Sequence, residues 1–222
     1  MSEPVLLSIQ VGMPRANGVA GAADPMDQPW FSGFYKAPVA GPVRVGRLNL
    51  AGDGQADLSA HGGPDRPILA YCAEHYDRWR EERVIDDAPF GSFGENFTVS
   101  GHHESEVCIG DQYAVGPVRL EVSQPRQPCW KLARRWRNKG IPALVIRHDR
   151  GGWYLRVLEQ GTVEAGMGVQ LLDRPFPQWT IARANHLLRH GMEDPQTCRA
   201  LAACPAISAD WRQYLNKRAD AK

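Results

Sequence analysis

Cys129 closes the run Ser123-Gln124-Pro125-Arg126-Gln127-Pro128, and Trp130 and Lys131 follow it. The two prolines stiffen the approach to a cysteine at the predicted start of a helix. Backbone N–H groups there favour a thiolate, and Arg126 and Lys131 add positive charge. Such a thiolate serves as a nucleophile or as a ligand for a soft metal; the alternative is a buried structural cysteine. A second segment, His61-Gly62-Gly63-Pro64-Asp65-Arg66-Pro67, combines two glycines with an Arg before an apolar stripe. If Pro67 opens a helix, this is an anion-binding turn, with Asp65 beside the helix start; otherwise it is a plain turn into a capped helix. His61 is a general acid or a hydrogen-bonded loop residue. The third segment, Gly91-Ser92-Phe93-Gly94-Glu95-Asn96-Phe97, offers Glu95 and Asn96 either to the polar edge of a ring or to a tight turn of their own. His102-His103-Glu104 is read as a solvated loop rather than a metal site, since adjacent histidines point in different directions on most backbones.

These residues need elements to hold them. Val5 to Val11 predicts a first strand, and its lack of a basic leader argues against a signal peptide. A Gly/Pro-rich stretch over residues 18–42 predicts a long irregular loop, of a kind that is often functional. Alternation resumes over Pro42–Leu50. Ile68, Cys72, Tyr76 and Trp79 recur at three- and four-residue spacing, which predicts a helix from Ile68 to Glu82. Residues 107–123 read as strands broken at Gly110-Asp111 and Gly116-Pro117. Helices are predicted from Cys129 to about Arg137 and from Pro142 to Asp149, with further strands at Trp153–Val157 and Val169–Leu172. Pro175 and Pro177 mark a linker. Beyond it, Thr180, Asp194-Pro195 and Ser208 start three short helices; the first stops near Gly191, and Trp211, Tyr214 and Leu215 face inward on the last. Helices so short must pack on one another or on the strands. The fold class is therefore α+β: a barrel of short strands with inserted helices over residues 1–175, followed by a small three-helix domain over residues 176–222.

Bulk properties narrow the function. The chain has 222 residues and a net charge of +1, so no global basic field draws it to a nucleic acid polymer or an anionic membrane surface. No stretch approaches the roughly 18–20 apolar residues of a membrane helix. Five scattered cysteines, without a CxxC pair, fit reduced thiols in the cytoplasm and predict neither a disulfide framework nor a zinc ribbon. The HExxH, GxSxG and GxGxxG motifs do not occur.

Taken in order, His61-Gly62-Gly63-Pro64-Asp65-Arg66, Phe93-Gly94-Glu95-Asn96-Phe97, Gly110-Asp111 and the run from Ser123 to Leu132 resemble the MOSC family, named for the C-terminal domain of molybdenum cofactor sulfurases. The resemblance covers residues 40–175 and is closest to the bacterial YiiM-like members, whose barrel also carries a small helical domain. The stretch 18–42 departs from the family pattern.

The resemblance implies a β-barrel that binds the molybdenum cofactor, a pyranopterin dithiolene, with Cys129 as the molybdenum ligand and no pyridoxal phosphate. It implies two-electron reduction of N-hydroxylated compounds such as N-hydroxylated purine bases. On this analogy Arg66, Arg126, Lys131 and the backbone near Gln124 hold the cofactor, Glu95 and Asn96 contact its ring or the substrate, and His61 or Asp65 supplies a proton. Since the chain shows no nucleotide-binding glycine motif and no iron–sulfur cysteine cluster, electrons are expected from a separate reductase. Two other uses of the same thiol stay open: a Cys129 persulfide in a sulfur carrier or sulfurtransferase, and a non-enzymatic cofactor carrier. The oligomeric state is not set by the sequence.

Overall fold

The computed structural model describes residues 3–86, 88–190 and 194–220. Strand β1 (Val5–Val11) is followed by four short strands, β2 (Arg15–Asn17), β3 (Trp30–Ser32), β4 (Ala37–Pro38) and β5 (Val43–Val45). β2 pairs with β3, and β4 with β1. The stretch expected to be irregular is thus partly strand, because strands of two or three residues are too short to display alternation.

Helix α1 (Leu58–His61) leads to β6 (Ile68–Cys72), α2 (Glu74–Glu81) and β7 (Phe97–Ser100). The helix predicted over Ile68–Glu82 is corrected here: its first five residues form a strand. Ile68 and Ala70 face one apolar cluster and Tyr71 faces another, so β6 is covered on both sides and reads as a continuous apolar run. Such a run cannot be told from a buried helix by periodicity. Tyr76 and Trp79 do lie on the buried side of α2. α2 crosses over between β6 and β7, which are parallel. A second correction follows. Pro67 leads into the strand β6, so Asp65 and Arg66 do not stand at a helix N-terminus.

The chain continues through β8 (Gln112–Val115), β9 (Val118–Pro125), α3 (Trp130–Trp136), α4 (Ile141–Arg147), β10 (Trp153–Glu159), β11 (Gly161–Val163) and β12 (Gln170–Asp173). Eight strands make one sheet in the order β12-β8-β9-β10-β6-β7-β1-β4, while β11 pairs with β5. The sheet curls on itself. The segment before β12 returns to β1, where Leu6 N–H donates to Met167 O (2.9 Å) and Gly166 N–H to Leu6 O (2.8 Å). That return makes the sheet barrel-like, with Leu6, Ile9, Phe97, Val122 and Leu155 inside. Helices α2, α3 and α4 cover the outer side of β6 through Tyr76, Trp79, Leu132 and Val145.

Helices α5 (Ile181–His190), α6 (Pro195–Ala202) and α7 (Ala209–Asp220) complete the chain. Their caps are the expected ones: Thr180 Oγ1 accepts from Arg183 N–H (3.1 Å), Asp194 Oδ1 from Gln196 and Thr197 N–H (3.1 Å each), and Ser208 Oγ from Trp211 N–H (3.2 Å). The stop predicted near Gly191 lies outside the described residues. Trp211 and Leu215 are buried one turn apart, whereas Tyr214 is 38% exposed and carries Arg218 over its ring, contrary to the inward position expected for it. Trp179, Ile181, Leu201 and Trp211 belong to the same apolar cluster as the barrel interior, so one core runs through both parts. Among the described residues, no helix is long and apolar enough to cross a membrane.

Candidate functional site

A cleft opens where four segments converge. The end of β3 and the segment after it supply Ser32, Gly33, Phe34 and Lys36; the turn at Gly54-Gln55-Ala56 and the end of α1 supply the next wall, with His61. The loop before β7 gives Phe93, Gly94 and Asn96, and the exit of β9 gives Arg126, Gln127, Cys129 and Lys131. Small residues let the walls meet. A Cβ on Gly33 would lie 2.2 Å from the carbonyl oxygen of Gly54, so only glycine lets the segment pass this close.

Cys129 is the residue before α3, with φ −112° and ψ 167°. Pro125 ends β9, and the chain then crosses to α3 with the thiol half-exposed at the cleft. The other four cysteines are buried, and burial pushes the thiols of Cys72, Cys108, Cys198 and Cys204 up. Access singles out Cys129 as the thiol available for chemistry.

The walls around it are cationic. Arg126 is 4% exposed; its Nη2 donates to Phe93 O (3.1 Å), while its Nη1 is buried with no hydrogen-bond partner in the protein. A buried guanidinium with an open donor at a cleft is a built request for an anion. Lys131 lines the same wall, and Arg66 lines it while pairing with Asp210 (2.6 Å). Lys36 pairs with Asp53 at the back of the cleft, and burial lowers its pKa although Asp53 pulls the other way. Among the described residues no carboxylate lines the cleft. Burial first, then the charges of Lys131 and Arg126, lower the His61 imidazole to about 4, so it is neutral at pH 7.

Six of the nine residues singled out in the sequence therefore meet here: His61, Arg66, Asn96, Arg126, Cys129 and Lys131. Asn96 lines the wall but is committed to it, since Oδ1 accepts from Leu69 N–H (3.1 Å) and Nδ2 donates to Asp53 Oδ2 (2.8 Å). Three stand elsewhere. Glu95 is buried behind the wall and accepts from Gly91 N–H (2.6 Å), Phe93 N–H (3.1 Å), the Tyr76 hydroxyl (2.7 Å) and the Thr98 hydroxyl (3.2 Å). Gln124 is buried opposite Tyr154 in the β9–β10 pair. Asp65 faces a different hollow, where its Oδ1 takes two hydrogen bonds from Arg156 (2.8 and 2.6 Å) and its Oδ2 one from Ala209 N–H (3.2 Å).

Sequence reading missed Lys36, Ser32 and Tyr154. Lys36 did leave a signal, as the only basic residue between Asn17 and Val43. The expectation of a solvated loop at His102-His103-Glu104 is also corrected. Glu104 is 3% exposed and bonds His75 Nε2 (2.7 Å), and His103 Nδ1 lies 3.2 Å from Cys72 Sγ. Cys72, His75 and His103 form a group able to hold a metal ion.

Comparison with known proteins gives a consistent pattern. A MOSC domain model matches residues 57–170, and a model of the YiiM-like 3-alpha helix domain matches residues 179–220. The protein YflK of Bacillus subtilis is 39% identical over 191 residues, which cover 85% of either chain. A Gibberella moniliformis protein named Reductase is 35% identical over 188 residues, which cover 83% of this chain and 32% of that protein. The crystal structure of YiiM from Geobacillus stearothermophilus superimposes with a TM-score of 0.80 at 34% identity, covering 97% of this chain and 99% of that one.

Proposed function

The chain belongs to the MOSC domain family, with the YiiM-like helical domain behind it, and from that premise we propose that it is a molybdenum-cofactor oxidoreductase that reduces N-hydroxylated compounds. The observation that carries the reading is the pairing of a half-exposed thiol, Cys129, with a carboxylate-free cationic wall whose innermost member, Arg126, holds a buried donor without a partner. This donor set suits the group. A thiolate is a fitting ligand for a soft, high-valent metal, and guanidinium and ammonium groups suit a phosphate. On this reading Cys129 ligates molybdenum, while Arg126, Lys131, Arg66 and Lys36 hold the anionic parts of the cofactor. Asn96 keeps the wall in shape. When bound, the cofactor supplies two-electron redox chemistry at the metal.

The overall reaction takes an N–OH group, two electrons and two protons to an N–H group and water. On this reading His61, which lines the cleft, moves a proton. An anion among Lys131, Arg126 and Arg66 offsets charges that hold its imidazole low. It thereby offsets the part of the lowering that comes from charge, beside the larger part that comes from burial, and favours the protonated ring that donates to the departing hydroxyl. Asp65, tied to Arg156, is not assigned this role. Phe34 lines the cleft as an apolar contact for a flat heterocycle, while Phe93 behind it is stacked on Tyr71. The name Reductase borne by the fungal relative agrees with this class of reaction. Electrons come from a separate reductase, and the five free cysteines fit the reducing cytoplasm.

The test is turnover. Protein loaded with cofactor and supplied with a reduced dye as electron donor converts an N-hydroxylated purine to the parent base, and Cys129→Ser does not. Loaded wild type that leaves the N–OH bond intact would sink the reading. A Cys129 persulfide, detected as sulfane sulfur, would then take its place.

A further inference from the structure

We propose that Cys72, His75 and His103 form a second metal centre, distinct from the Cys129 cleft, that takes a zinc-type divalent cation. None of the three lines the cleft, and the inference stands or falls independently of the function proposed above.

The topology brings the ligands together. Cys72 ends β6, and His75 lies in the first turn of α2, three residues on. β7 runs parallel to β6 with Val99 opposite Cys72, so the chain leaving β7 delivers His103 to the same end of the sheet. One ligand atom from each of the three residues lies within 4.8 Å of the others, and Cys72 Sγ is 3.2 Å from His103 Nδ1. Tetrahedral zinc, with Zn–S about 2.3 Å and Zn–N about 2.0–2.1 Å, places sulfur and nitrogen about 3.5 Å apart. The group therefore needs only small side-chain rotations to close on an ion.

The arrangement around His75 is the independent observation. Its Nε2 faces Glu104 Oε2 at 2.7 Å, and the other Glu104 oxygen is held by Gly152 N–H at 2.8 Å. With its Nε2 proton given to that carboxylate, the ring keeps its lone pair on Nδ1. That Nδ1 is buried and has no hydrogen-bond partner in the protein. A carboxylate fixing one ring nitrogen while the other is left open is the outer-shell pattern of metal-bound histidine. A buried polar atom without a partner requires one.

Glu74 stands beside the thiol without belonging to the ligand group. Its Oε2 is 3.0 Å from Cys72 Sγ, and its Oε1 is anchored by Gly101 N–H at 2.8 Å. The Cys72 thiolate supplies one negative charge to a divalent cation, and the Glu104 carboxylate behind His75 supplies a second. Sulfur and imidazole ligands select zinc or cobalt over magnesium or calcium. Three protein ligands leave one tetrahedral position for water or a further donor. The centre would clamp α2 to the ends of β6 and β7, and the next residue of α2, Tyr76, holds the Glu95 carboxylate that orders the cleft wall.

The experiment uses full-length protein, stripped with a chelator and titrated with cobalt(II) chloride as a spectroscopic probe for zinc. One equivalent should give a thiolate-to-cobalt charge-transfer band together with the intense visible bands of tetrahedral cobalt, and zinc should bleach both. Cys72→Ala and His103→Ala should abolish them, Glu104→Gln should weaken affinity about 10- to 100-fold, and Cys129→Ser should leave them unchanged. His103 is half-exposed, so its variant serves if Cys72→Ala does not fold. Wild type without a charge-transfer band overturns the proposal. So does a band that survives His103→Ala or disappears in Cys129→Ser.

Discussion

His61 and Arg126 line one cleft, and an added anion would act on both. Arg126 has a buried donor with no acceptor, and His61 is kept neutral by burial and by the positive charges beside it. The His61 shift has a consequence for stability. Its pKa falls from 6.5 when unfolded to about 4 when folded, so the unfolded chain binds the proton more tightly. Its contribution is complete above pH 6.5 and is lost as the pH falls toward 4. Urea unfolding followed between pH 7 and 4 should therefore show His61→Gln losing less stability on acidification than wild type; parallel curves would contradict the assigned shift. Cys129, Arg126 and Lys131 were legible in the sequence because they crowd into six residues around two prolines. Glu95 was not, because a carboxylate in a glycine frame looks the same whether it faces a ligand or its own backbone amides.

At the scale of elements, the wall holding Phe93 and Gly94 is a loop folded around one buried carboxylate. Removing it strands the amides of Gly91 and Phe93 and the Tyr76 hydroxyl. At about 1–3 kcal/mol for each buried group left unpaired, and with partial relaxation, Glu95→Ala should cost about 3 kcal/mol, read from the urea midpoint at unchanged slope. A loss below 1 kcal/mol would mean that the loop does not depend on this residue. Helices α3 and α4 were predicted within a residue or two, because their apolar spacing is uninterrupted and Gly151-Gly152 follows them. β6 was misread as helix. An apolar pentapeptide buried on both faces carries no period of its own, and Cys72 joined it by chance to the true helical stripe of Tyr76 and Trp79. The same misreading hid the juxtaposition of Cys72, His75 and His103, which depends on the parallel pairing of β6 and β7.

Across the whole molecule, the three C-terminal helices finish the barrel's core. Trp179, Ile181 and Trp211 are buried in the cluster that contains Leu6 and Val122. The Asp65 carboxylate ties the barrel to α7 through Arg156 and the Ala209 amide. Trp211→Ala should therefore destabilise the barrel along with the helices, by about 3–5 kcal/mol in a single cooperative transition. Two separate transitions, with only one of them shifted, would show that the parts fold independently. The caps at Thr180, Asp194 and Ser208 made these helices readable from sequence, while their docking site was not, since it depends on which face of a curled sheet stays bare.

The most direct measurement is the molybdenum content of wild type and Cys129→Ser, both purified from cells that make the cofactor. Near-stoichiometric molybdenum in wild type, lost in the variant while its unfolding free energy stays within about 1 kcal/mol of wild type, is the result expected of a half-exposed thiol that serves as ligand. Equal molybdenum in both proteins, or none in either despite supplied cofactor, would contradict the assignment of Cys129 as the metal's thiolate.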